Sequence, residues 1–276
     1  MKLATRVGLA ALGAIAIAPA VQAAPLLTMS YSIGSLSRAI QFMGDGSVLI
    51  ACDGSVLVAC DGSVTPVPGA SFRTLGDGSV RAVTPIALLG DGSVRLGDGS
   101  VIPADVDGIS LASLAFSPNP FIEAALGITD AGAATTFLVT FGGPLALGAN
   151  AFTYGLTGTA TLADATGDGT SMGAQSQFGL PAGLIAGAVD GVGVASIGAS
   201  LNGAGTTPLT PASGDGTCVT CTFQTLAFGF AASGNGDQYT LTGRFDIEAA
   251  TAVPAPAPLG LLATGLVLLG LMRRRG

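Results

Sequence analysis

The sequence predicts an all-β fold, a β-sandwich of the jelly-roll or immunoglobulin-like kind. Three observations predict it. Glycine, alanine, threonine and valine are abundant, and charged helix formers are few. Short runs of strand character recur between Gly and Pro turns at irregular spacing. Ten of the fifteen aspartates directly precede glycine, a pair that accepts the positive φ of tight turns.

Taken in order, residues 1–23 have the layout of a helical signal peptide. Lys2 and Arg6 give a positive start, residues 7–18 are apolar, and Val21-Gln22-Ala23 is a small-residue cleavage site, with cleavage expected after Ala23. Such a segment calls on a secretion translocon and a signal peptidase. Residues 24–43 supply the first strands. Met29, Tyr31 and Ile33 alternate with polar residues, Gly34-Ser35 offers a bend, and residues 36–42 continue.

Residues 44–102 are an inserted repeat, Asp-Gly-Ser-Val, predicted to form hairpins. Units start at Asp45, Asp53, Asp61, Asp77, Asp91 and Asp98, with steps of 8, 8, 16, 14 and 7 residues. A hairpin meander fits this, and so does a small β-solenoid with one unit per rung. A recently expanded, poorly ordered insertion between sandwich strands is a third reading. In a meander turning at Asp53-Gly54, Cys52 and Cys60 lie about 17 Å apart, too far to bridge. Stacked on solenoid rungs they would be about 4.8 Å apart. The uneven step favours the meander. Calcium is a weaker reading of the repeat than plain turns, because each unit carries one Asp and the period is not fixed.

Residues 103–248 are the main sandwich. Strand-like runs cover 109–116, 121–129, 135–141, 151–162, 175–180, 184–201, 222–230 and 239–247. The last is the clearest, with Tyr239, Leu241, Gly243, Phe245 and Ile247 facing one way. Residues 249–258 form an extended Pro/Ala linker, and residues 259–276 a C-terminal hydrophobic helix ending in an arginine cluster. Its apolar run, 259–272, would make about 21 Å of helix, short of a hydrocarbon core of about 30 Å. Prolines at 254, 256 and 258 obstruct extension, and Arg273, Arg274 and Arg275 favour the cytoplasmic side. The bland reading is a short permanent anchor; the sharper one is a sorting signal that is cut off.

Composition narrows the function. Between the two end segments, residues 24–252 carry five arginines and all 17 acids, a net charge of 5 − 17 = −12. That excludes a nucleic-acid footprint and docking on anionic lipid. The same residues contain no His, Lys or Trp, which removes Ser-His, Cys-His and lysine nucleophiles and imidazole metal sites. No residue earns a catalytic assignment, no metal ligands are assigned, and no cofactor is implied. Carboxylate pairs at Asp105/Asp107 or Asp246/Glu248 could be proposed for glycoside hydrolysis, but the latter falls on the polar face of the final strand, as at a solvated edge. Cys218-Val219-Thr220-Cys221 is the densest chemical motif. A redox role needs a βαβ setting, a zinc module a second pair, and a local disulfide in a Gly-rich loop around Gly214 needs only an oxidising compartment.

The spacer, hydrophobic run and terminal arginines together resemble the PEP-CTERM sorting tail of Gram-negative bacteria. Val253, Pro254, Ala255, Pro256 and Ala257 are similar to its VPxPA variant, departing from the commonest form at Ala255, where that form has glutamate. The resemblance covers about 24 residues. The segment from Asn119-Pro120-Phe121 to Thr136-Phe137 loosely resembles the central part of secreted bodies that carry this tail. The resemblance implies processing by an exosortase, a membrane-embedded thiol transpeptidase, in cells that make exopolysaccharide and biofilm. The expected function is then an exported structural or adhesive protein, passing through the inner membrane to the cell surface or extracellular matrix, with exopolysaccharide a possible partner. Two alternatives stand beside it: a surface carbohydrate-active hydrolase using carboxylates, and a calcium-dependent adhesin acting through the repeat.

Overall fold

The computed structural model describes residues 25–43, 48–51, 72–74, 80–82, 86–89, 94–96, 106–117, 121–147 and 150–250. The expected signal peptide, Cys52, Cys60, the Asp-Gly-Ser residues of every repeat unit, from Asp45 to Asp98, and the expected sorting tail with Arg273, Arg274 and Arg275 lie outside them.

Among the described residues the chain is all strand, arranged as two antiparallel sheets. Strands are numbered in chain order. The first sheet runs β14 (Val192–Ile197), β13 (Ile185–Val189), β18 (Phe223–Ala232), β10 (Thr136–Pro144), β1 (Pro25–Ile33), β2 (Leu36–Met43) and β3 (Val48–Ala51). The free edge of β18 is shared by β13 and by β12 (Ser171–Ala174), which carries β15 (Leu201–Asn202). The second sheet runs β16 (Gly205–Pro208), β11 (Ala151–Ala163), β19 (Asp237–Ala249), β9 (Phe121–Asp130), β8 (Gly108–Ser117), β5 (Val80–Ala82) and β4 (Phe72–Thr74). Here β17 (Ala212–Thr217) joins β16 on the outer edge of β11, and β6 (Ile86–Leu89) pairs with β8 and with β7 (Val94–Leu96). No described helix is long and apolar enough to cross a membrane.

Alternation along the strands builds one core between the sheets. β10 gives it Phe137, Val139 and Phe141, β18 gives Leu226, Phe228 and Phe230, and β19 gives Tyr239, Leu241, Phe245 and Ile247. Glycines let the sheets approach. Gly158 of β11 faces Gly243 of β19 in register, and Ile185 and Phe228 from the opposite sheet seat on that bare backbone. The reverse occurs at Gly187 of β13, which receives the Phe245 ring.

The two strands expected in residues 26–43 are β1 and β2, with Gly34 at φ +56° in the bend. β2 pairs antiparallel with β3, β4 with β5 and β6 with β7, and Val48, Val80 and Val94 open the second strand of each pair, while the Asp-Gly-Ser residues before them lie outside the described residues. Two of these strand pairs belong to the second sheet and one to the first.

Several expectations are corrected. The run 184–201 is not one strand. It folds back at Asp190-Gly191, whose φ values of 49° and 78° make the two-residue turn between β13 and β14. Residues 175–180 are not a strand, since β12 ends at Ala174 and Phe178 and Gly179 take positive φ. Asp215-Gly216 is no turn and Gly214 lies in no loop: both glycines are inside β17, where the missing side chains make room for Phe152 and Tyr154. Finally, β19 is not a solvated edge but an inner strand, paired with β11 on one side and β9 on the other.

Candidate functional site

Of the residues singled out in sequence, Cys218 and Cys221 are joined by a disulfide with Cα atoms 5.3 Å apart, in the loop between β17 and β18. Val219 stands 89% exposed at its tip. The loop is pinned from the β13–β14 turn. The Asp190 carboxylate accepts the N–H groups of Thr222 (2.9 Å) and Phe223 (3.0 Å) and the hydroxyls of Thr220 (3.0 Å) and Thr222 (3.2 Å). Burial alone would push this carboxyl up, but the Thr222, Thr220 and Phe223 donors together hold it below its ordinary value.

A carboxylate with a depressed folded-state pKa stabilises the fold above its unfolded value, and that contribution disappears as pH falls through the folded value. Asp190→Ala is therefore expected to cost about 1–3 kcal/mol at pH 7, from four lost charge-assisted hydrogen bonds. The difference from wild type should shrink below the ordinary carboxylate value of 3.8. Urea unfolding at pH 7 and pH 3 checks both statements; a difference independent of pH would contradict them.

The pair Asp246/Glu248 sits on the outer face of β19. Both oxygens of Asp246 are taken by the Arg244 guanidinium at 2.7–3.0 Å, and Arg244 also reaches Glu123 at 3.0 Å and lies 4.3 Å over the Phe121 ring. Asp246 first, and Glu123 after it, hold the guanidinium more firmly protonated than usual. This arrangement makes Asp246 the ion-pair partner of Arg244. Asp105 lies outside the described residues, and Asp107 accepts the N–H of Ala131 at 2.8 Å.

The densest chemistry lies at one end of the second sheet. Four neighbouring strands, β8, β9, β19 and β11, bring aspartates to the same edge. Asp107 precedes β8, Asp130 ends β9, Asp237 opens β19 opposite Asp130, and Asp164 follows β11. Asp130 and Asp237 are both fully buried. Each has one engaged oxygen: Asp130 Oδ2 accepts the N–H of Thr135 (3.2 Å), and Asp237 Oδ2 accepts the Ser233 (2.6 Å) and Tyr239 (3.3 Å) hydroxyls. The other oxygen of each, Oδ1, is buried with no donor. Burial, with the Asp107 charge adding to it, pushes the Asp130 carboxyl up to about 6 against the pull of the Thr135 N–H.

Beside this pair two loops meet. The first, residues 164–169, wraps around Asp164. Its carboxylate accepts the N–H groups of Gly167 (2.6 Å), Gly169 (2.8 Å) and Thr166 (3.2 Å), and the first two above all keep it ionised below its ordinary pKa. The second is the β18–β19 turn, where Gly234, Asn235 and Gly236 all take positive φ. Asn235 donates its Nδ2 to Asp168 at 2.7 Å and so ties the loops together. One oxygen from each of Asp164, Asp168 and Asp237 falls within 4.8 Å of the others.

Sequence reasoning singles out none of these three. One signal was present, the spacing Asp164-x-Thr166-x-Asp168-Gly169, which follows the opening of a calcium loop with threonine in the second ligand place. The strong Asp-Gly turn pattern absorbs it. No protein-family model and no curated protein sequence matches the chain.

Proposed function

We propose that the chain is an exported surface or extracellular-matrix protein with a structural or adhesive role, delivered by its C-terminal sorting tail. The sandwich is read as jelly-roll or immunoglobulin-like, with the repeat as an elaboration of its edges. The observation that carries the proposal is the order of the chain's last elements. β19 ends at Ala249, held between two neighbours, and Val253 of the proline motif follows four residues later. The Pro/Ala composition of the residues that follow suits a spacer that presents the motif to a membrane-embedded exosortase. The anionic, lysine-free body suits a surface protein among exopolysaccharide rather than a nucleic-acid or lipid binder. The ion pairing of Asp246 with Arg244 gives the hydrolase reading no support.

Fractionation of producing cells tests delivery. The wild-type body is expected at the surface or in the medium. The variant Pro254→Ala/Pro256→Ala, with the motif altered and the apolar run intact, is expected to remain in the inner membrane. Equal distribution of the two would overturn the role given to the motif.

A further inference from the structure

We propose that Asp164, Asp168 and Asp237 form a binding site for one divalent cation, calcium by its chemistry, at the end of the second sheet and apart from the repeat. The separation fits. Two oxygens on one calcium ion, each bound at about 2.3–2.6 Å, lie up to about 5 Å apart. The three carboxylates place one oxygen each within 4.8 Å.

The cluster alone would not argue for a ligand, since exposed acids often gather at turns. The buried member does. Asp237 is 0% exposed, its Oδ2 is held by Ser233 and Tyr239, and its Oδ1 has no donor. A buried carboxylate oxygen without a partner is costly. Across the strand pair the same holds for Asp130 Oδ1, so two buried carboxyl groups face each other in register. The ion pairs among the described residues are those of Arg244 with Glu123 and Asp246, on the outer face of β19. A cation between the loops supplies what is missing to Asp237.

Three carboxylates provide three to six of the six to eight oxygens calcium takes, leaving the remainder to water and loop carbonyls. Such a site belongs with extracellular modules, whose dissociation constants are about 0.1–1 mM. The site stands on these residues whether or not the export reading holds, but its filling in the cell rests on export, because only outside does calcium reach that range.

The test is calorimetric titration of the exported protein, stripped with chelator, using calcium chloride alone. One equivalent is expected to bind with a dissociation constant of about 0.1–1 mM. A tenfold excess over that constant should raise Tm by about 3–5 °C. Asp168→Asn changes an exposed residue that can keep its fold, and should weaken binding at least tenfold. Asp237→Asn should abolish it. Asp91→Asn, in the repeat, should leave it unchanged. No binding at 10 mM calcium, or binding that survives Asp168→Asn and is lost with Asp91→Asn, overturns the proposal.

Discussion

Gly158→Val is expected to lower the unfolding free energy by about 3 kcal/mol or more, the upper range for overpacking a core. The reason lies in what the missing side chain admits. A Cβ at this position would stand 2.5 Å from Ile185 Cδ1 and 2.6 Å from the backbone oxygen of Thr242. The isoleucine tip could rotate away. The carbonyl could not, because it belongs to β19, which is paired with β11 and β9 on its two sides. Valine would therefore have to push the sheets apart or break the β11–β19 ladder. Urea unfolding of the purified protein measures the loss; an unchanged midpoint would mean that the two sheets do not meet at this glycine pair.

Phe228→Ala is expected to cost about 3–5 kcal/mol. Phe228 is buried in the middle of β18, packs edge-on against Phe141 with ring centroids 6.2 Å apart, and comes within 2.8 Å of where a Cβ on Gly243 would sit. Removing the ring leaves a cavity opposite bare backbone, which cannot fill it. The double variant Phe228→Ala/Gly243→Ala carries the sharper expectation. The added methyl enters vacated space, so the double should be more stable than the sum of its singles by about 1 kcal/mol. Strict additivity would separate the two positions and contradict the contact.

How far these features were legible in the sequence depends on whether their causes are local. The β1–β2 hairpin was legible because alternation and a Gly-Ser bend lie within one short stretch. The inward face of β19 was legible for the same reason, and Tyr239, Leu241, Phe245 and Ile247 are all buried. The β13–β14 turn was missed although Asp190-Gly191 carries its signature, because small apolar residues on both sides read as one run. Gly214 and Gly216 misled in the opposite direction. Their role is to make room for Tyr154 and Phe152, which approach from β11, and nothing near them in sequence announces that. The acidic end is the extreme case. Asp164 and Asp168 sit in one loop, but Asp237 lies 69 residues after Asp168 and joins them only because β11 and β19 are neighbours. Sheet order, which short-range pattern does not encode, makes that site.

The proposed sorting tail is the reverse, a feature written wholly in local sequence. The proposed function rests on its being cut, and the intact mass of the exported protein reports this directly. The account predicts a mature chain beginning at Ala24 and lacking residues 259–276, with its new end within or just after Val253 to Ala257. An exported protein whose mass includes Arg273, Arg274 and Arg275, from cells that possess the processing enzyme, would contradict it.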